Sequence, residues 1–144
     1  MWSDTLFAAE RSHLLRVMLW AVTSATLGTA LVAFITLRRI AAPILQGFAV
    51  QVVAWGLFEL IVAATSWQLL TMRDVSAATR LDRLTWLHVG LDAGIVGIGV
   101  ALTVVAWMLG RRVALVGAGL GIVVQGLGLL VLNLTFASVL ARLI

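Results

Sequence analysis

The chain has 144 residues, 62% of them hydrophobic and 11% charged, with a mean hydropathy of +1.13, a composition that excludes a water-soluble globular domain and belongs to membrane proteins. All ten basic residues are arginine, against six acids, for a net charge of +4; they cluster at the ends of apolar runs without the basic stripe and interleaved aromatics of a nucleic-acid surface, so no nucleic-acid partner is expected. Cysteine is absent, which excludes disulfides, thiolate metal sites and thiol nucleophiles.

The first ten residues carry Asp4 and Glu10 but no basic n-region, and the apolar run after Arg16 is too long for a signal peptide. The first segment is therefore expected to stay attached as a membrane span over about 10–37. Arg38 and Arg39 close it, and Pro43 suits the first turn of a second span over about 42–71. The stretch MRDVSAATRLDRL follows, reading as a short interfacial extension of helix 3 with Asp74 or Ser76 as N-cap. A third span over about 76–109 ends at Gly110, Arg111 and Arg112, the glycine fitting a helix C-terminus. The fourth covers about 113–141. Each run exceeds the roughly 20 residues needed to cross about 30 Å of hydrocarbon, and in lipid only helices or closed barrels satisfy the backbone. The expected fold is all-α, a single integral membrane four-helix bundle.

The two halves are alike. A shift of 74 residues places Gln51 on Gln125, Gly47 on Gly121 and Glu59 on Asn133, and a shift of 75 places His13 on His88. Two helical hairpins related as a parallel internal repeat are expected, with the pseudo-twofold along the membrane normal. Six arginines on the terminal side (Arg11, Arg16, Arg73, Arg80, Arg83, Arg142) outnumber the four at the tight turns, which favours cytoplasmic termini.

Four polar residues, one per helix, share a depth. Arg16, Glu59, Asp92 and Asn133 lie about 19 to 22 residues from the arginine turns, roughly 28–33 Å at 1.5 Å per residue. His13, Arg16 and Trp20 share one face at i, i+3, i+7; Gln51, Trp55 and Glu59 share another at i, i+4, i+8; His88 and Asp92 are four apart. A carboxylate at this depth costs about 2–3 kcal/mol and should find a partner, with Arg16 the obvious cation. Glu59 and Asp92 leave that layer one positive charge short. The arrangement fits a pocket for an ion, a proton or a small polar or cationic ligand, used in transport, conduction or sensing. The alternative is a structural accessory subunit of a larger membrane complex, with the polar layer as helix glue. Gln51 and Gln125, near mid-membrane, are expected to bond to each other, and Trp20 and Trp55 to wall the site.

No cofactor is expected. His13 and His88 could ligate a b-type haem, or a divalent metal with Glu59 and Asp92, but two histidines alone make no defined motif. Glycines on helix 3 (Gly90, Gly94, Gly97, Gly99) and helix 4 (Gly117, Gly119, Gly121, Gly126, Gly128) permit close helix contact, within the chain or with a second copy or partner subunit. Trp67, Trp86 and Trp107 suit an aromatic belt. No nucleophile elbow, HExxH, P-loop or GxGxxG after a strand occurs, so no enzyme is expected. Small multidrug exporters would carry their acid in the first span, where this chain has arginine, and fluoride channels carry a different asparagine and phenylalanine pattern.

At QVVAWGLFELIVA, HVGLDAGIVGIG and GAGLGIVVQGLGLLVLN the chain resembles an uncharacterised family of small bacterial four-span membrane proteins, catalogued as a domain of unknown function. That pattern runs roughly Gln-x3-Trp-Gly-x-x-Asn in helix 2, Leu-Asp early in helix 3, and Gln-Gly followed by an acid in helix 4. Gln51, Trp55, Gly56, Leu91, Asp92, Gln125 and Gly126 occupy matching positions. Glu59 stands where the family tends to have asparagine and Asn133 where it tends to have aspartate, as if the acid had moved between half-repeats. The resemblance covers about 90 residues; it implies a bacterial inner-membrane protein and supplies no activity.

Overall fold

Long runs of Leu, Ala, Val and Gly, interrupted only at three short polar stretches, fold as four helices: α1 (Trp2–Leu37), α2 (Pro43–Gln68), α3 (Val75–Met108) and α4 (Val113–Leu143). The computed structural model describes residues 2–110 and 112–143; Arg111, counted above in the second arginine turn, lies outside them. The helices have 36, 26, 34 and 31 residues, so each is longer than the hydrocarbon is thick, α1 and α3 by about 20 Å. All four are long and apolar enough to cross a membrane.

The first helix begins at Trp2 rather than near Glu10 because its opening turns have packing partners. Leu6 is buried with Ala78, Phe136 and Leu140, and Trp2 Nε1 donates to the carbonyl of Leu143 at 2.7 Å, tying the two chain ends together. At the other end of α1, Ile40 N–H reaches Ile35 O at 3.0 Å and Arg39 N–H reaches Thr36 O at 3.2 Å, a Schellman closure that puts Arg39 at φ 52, in the left-handed region. Gly110 closes α3 at φ 84, where glycine carries no Cβ penalty. Pro43 opens α2 as expected. Asp74 is the N-cap of α3, accepting the Ala77 N–H at 2.7 Å and the Ser76 hydroxyl at 3.0 Å. Those bonds, the backbone one foremost, hold its carboxyl below the usual carboxylate range.

The interior is small and polar, and the exterior is large and apolar. Buried positions include Ala21, Ala49, Ala63, Ala78, Ala106 and Ala137, whereas Leu19, Leu27, Ile61, Ile98 and Val131 are each more than 60% exposed. A soluble protein would bury those side chains to remove them from water. Here lipid is the solvent, there is no hydrophobic reason to bury them, and small residues let helices approach instead.

The hairpins α1/α2 and α3/α4 form as expected, and α2 packs on α4 between them. The α2/α4 crossing is the tightest. A Cβ on Gly117 would collide with the Ile44 carbonyl, and one on Gly47 with that of Ala114. Every helix-4 glycine singled out in the sequence is consumed within the chain, Gly119 against Gly99 and Thr103, Gly126 against Val96, and Gly128 against the Trp20 ring. On α3, by contrast, Gly90, Gly94 and Gly97 face open space.

The packing does not follow the twofold symmetry suggested by the sequence repeat. That symmetry would make the α1/α4 and α2/α3 neighbours equivalent. Yet α1 approaches α4 over a short stretch, while no Cα of α2 comes within 8 Å of α3. The missing approach leaves a gap between α2 and α3.

A pair of substitutions tests which glycines set the packing. Gly117→Ala is expected to destabilise the bundle by about 1–3 kcal/mol through overpacking against the Ile44 backbone, whereas Gly94→Ala, on an open face, should leave stability unchanged or raise it by up to about 1 kcal/mol through helix propensity. Unfolding of the purified proteins in mixed micelles by titrated denaturing detergent measures both.

Candidate functional site

The gap between α2 and α3 deepens into a cleft of about 340 Å³, and all four helices contribute to its wall. The i, i+4, i+7, i+11 spacing on α2 turns Trp55, Glu59, Val62 and Ser66 toward it; His88, Asp92 and Ile95, at i, i+4, i+7, do the same on α3; His13 and Val17 come from α1 and Leu129 and Asn133 from α4. Phe58, Val62 and Leu91, at 58%, 47% and 54% exposure, form its rim toward the α2/α3 side.

At the floor lie two carboxylates. Asp92 is 5% exposed and accepts the Asn133 amide at 2.7 Å. Glu59 is 4% exposed, and neither of its oxygens has a hydrogen-bond partner among the described residues. Asp92 is close enough to repel it, and His88 stands beside Asp92. The His13 ring lies against the Asn133 amide and stacks on Phe136, centroids 4.3 Å apart and planes 7° from parallel.

The cation expected for this layer is elsewhere. Arg16 is exposed and lines an adjoining hollow of about 220 Å³ on the α1/α4 side with Ser12, Thr135 and His13, the last also on the cleft wall. Its direction on α1 sets it apart: Leu6, Glu10, Ala21, Ser24, Gly28 and Ile35 are the buried positions, and Arg16 falls off that stripe. Depth is set by residue count and azimuth by packing, so the expected Arg16 partner for Glu59 is absent.

The glutamines also part company. Gln125, 1% exposed, has its carbonyl oxygen occupied by Trp20 Nε1 at 2.8 Å and Ser24 Oγ at 3.4 Å. Gln51 is half-buried, its Cβ packed over Gly121. The bond expected between Gln51 and Gln125 is replaced by a tie from α4 to α1. Trp55 does wall the cleft, set edge-on to Phe58 with centroids 5.7 Å apart, while Trp20 serves Gln125 instead.

The ion pair that the sequence reading missed lies nearer the terminal side. Arg73, in the α2/α3 connection, grips the Glu10 carboxylate with both Nε and Nη2, the first at 2.7 Å. Those hydrogen bonds raise the Arg73 guanidinium further above its ordinary value, so it remains charged. Glu10 is only 6% exposed. The signal available was that Glu10 is three residues before His13, on the same helix face; what was missing was the path of the connection that brings Arg73 across. Glu10 and Arg73 sit at the outer end of a second hollow, of about 250 Å³, that shares His13, Leu14, Ser66, His88 and Asn133 with the cleft. Polar groups therefore continue from the Glu10–Arg73 pair inward to Glu59. Arg11 reinforces the same end, its guanidinium 5.5 Å above the Trp67 ring.

Among the described residues, a larger hollow of about 600 Å³ at the opposite end, between the first turns of α2 and α4, is lined by Ala, Pro, Ile, Leu, Phe and Val. It carries no group that could select a ligand. Among the described residues no set of three or more His, Cys, Asp or Glu side chains is arranged to hold a metal ion.

Residues 16–134 match the sequence pattern of DUF6992, a family of unknown function, and the chain belongs to that family. No curated protein and no solved structure matches it.

The Glu10–Arg73 pair gives a measurable expectation. Arg73→Ala strands a buried carboxylate and should destabilise the protein by about 3 kcal/mol, since removing one partner of a buried pair costs more than the pair contributes. Arg73→Lys should fall between, keeping the charge and losing the two-point grip. Thermal unfolding in detergent, compared across the three proteins, checks the order.

Proposed function

We propose that this member of a family of unknown function is a small integral membrane protein that takes up a proton or a cationic ligand at Glu59 and Asp92, in the cleft between α2 and α3, in transport, conduction or sensing. The observation that carries the reading is the state of Glu59, a carboxylate 4% exposed with both oxygens unpartnered among the described residues. Buried polar groups in proteins are hydrogen-bonded or paired, and one that is not calls for a ligand, an ion or a proton. Asp92 and Asn133 add a second acceptor already held in orientation. His13 and His88, both on the cleft wall, are the groups through which protons could be passed from the terminal side. Gln51 and Gln125 are read as packing residues and Arg16 as peripheral.

The reading needs no cofactor and no catalytic group. A haem or divalent metal bound through His13 and His88 is less well supported, because His13 already lies against the Asn133 amide and no set of three or more His, Cys, Asp or Glu side chains among the described residues is arranged to hold a metal ion. Residence in a bacterial inner membrane with cytoplasmic termini is part of the same proposal, supported by the excess of arginine on the terminal side.

A second reading, an accessory or self-associating membrane subunit, is favoured by one observation: Gly90, Gly94 and Gly97 are open on α3 with nothing against them. Small residues spaced in this way suit a partner helix.

Glu59→Gln distinguishes the two. In lipid nanodiscs, infrared difference spectra across pH should contain a carboxyl–carboxylate band pair that is lost in Glu59→Gln, with the variant folded and expressed as well as the parent. An identical pH response in both proteins would remove Glu59 from the function, and loss of folded variant would favour the accessory-subunit reading.

A further inference from the structure

We infer that the ligand of the Glu59–Asp92 cleft is a lipophilic organic monocation, which enters sideways from the bilayer between α2 and α3. This rests on the reading above that the cleft takes a positive charge, and adds the chemical class and the route.

Charge comes first. The cleft floor has two carboxylates within electrostatic reach of each other, and among the described residues no arginine lines its wall. Arg16 lines a different hollow, and Arg73, in the adjoining one, is committed to Glu10 by a two-point grip. His13 and His88 are the remaining titratable groups on the wall. An anion would meet Glu59 and Asp92 without a fixed counter-charge, and is excluded on that ground.

Hydration then separates inorganic from organic cations. A small metal ion gives up its water only for six or so oxygen ligands. The floor offers two carboxylates, one of them already bonded to Asn133, and no three-residue ligand set among the described residues. An ammonium or phosphonium carrying bulky apolar groups spreads its charge and holds water weakly, so two carboxylates and an aromatic face suffice. Trp55 offers such a face beside Glu59.

The walls and the mouth match the rest of such a molecule. Above the carboxylates the lining is Trp55, Phe58, Leu91, Ile95 and Leu129, in a volume of about 340 Å³, within the range of small-molecule sites that bind drug-sized ligands. The rim residues Phe58, Val62 and Leu91 are each about half exposed, and α2 and α3 make no backbone approach within 8 Å that would close the way. On a helix bundle with lipid as solvent, an opening between two spans admits what dissolves in lipid. The larger hollow at the other end is as apolar but has no acid, so it cannot select charge.

Tetraphenylphosphonium and tetraphenylborate have the same size and shape and opposite charge, which makes them the probes. Equilibrium dialysis against the protein in zwitterionic lipid nanodiscs, with empty nanodiscs subtracted, should give saturable binding of the phosphonium and none of the borate. Glu59→Gln should weaken phosphonium binding about tenfold or more, the loss expected for a charged partner. Leu91→Trp, which fills the mouth and leaves both carboxylates in place, should weaken it too while preserving the Glu59 infrared signature. Equal binding of borate and phosphonium, or phosphonium binding unaltered by both substitutions, would overturn the inference. No saturable phosphonium binding by a protein that retains the Glu59 signature would sink this inference and leave the proton-site reading standing; loss of that signature as well would end both.

Discussion

At the α2/α4 crossing two backbones touch. Gly47 faces the Ala114 carbonyl and Gly117 the Ile44 carbonyl, and neither position has room for a Cβ. The close approach draws α4 to the middle of the molecule, where it meets the other three helices. In lipid such contacts have no hydrophobic drive and rest on dispersion between surfaces that fit, which is why they form where side chains are smallest. With α4 central and α1 lodged against both α2 and α4, α3 has a close backbone neighbour in α4 alone among the described helices. The space between α2 and α3 is the consequence, and it is where the acids point.

Inside that scaffold, polar groups are satisfied in separate sets, each joining different helices. Gln125 ties α4 to α1 through Trp20 and Ser24, Asn133 ties α4 to α3 through Asp92, and Arg73 ties the α2/α3 connection to α1 through Glu10. The first two are hydrogen bonds of the kind worth about 0.6–2 kcal/mol between helices in lipid, and the third is a two-point ion pair. Glu59 stands apart. It is as buried as the rest, yet neither of its oxygens has a hydrogen-bond partner among the described residues. The polar residues thus divide into those that bond between segments of the bundle and Glu59, which does not.

The charge inventory of the chain supports this division. Of the ten arginines, Arg73 is fixed against a buried acid and Arg11 against Trp67, while Arg16 is turned toward the outside of the α1/α4 seam. Had Arg16 faced inward, Glu59 would be a structural half of an ion pair. Because it faces outward, it is paired with neither carboxylate on the floor of the cleft.

The four spans, their turns, the Asp74 cap and family membership were all legible in the chain, because each depends on local composition or on short motifs: apolar length, arginines and a proline at helix ends, a glycine able to take positive φ, and QVVAWG, HVGLD and VVQG in order. That Glu59, Asp92 and Asn133 share a level along the bundle was legible for the same reason, since helical rise converts residue count into distance, and all three line one cleft. What counting along a helix cannot give is rotation about its axis and the order of helices around the bundle. Those were decided by which glycines meet which carbonyls, and they sent Arg16 outward, gave Gln125 to Trp20 instead of Gln51, brought Arg73 to Glu10, and broke the symmetry that the repeat in the sequence suggested. Sequence fixes height in the membrane because rise per residue is uniform; packing fixes direction because it depends on surfaces from distant parts of the chain.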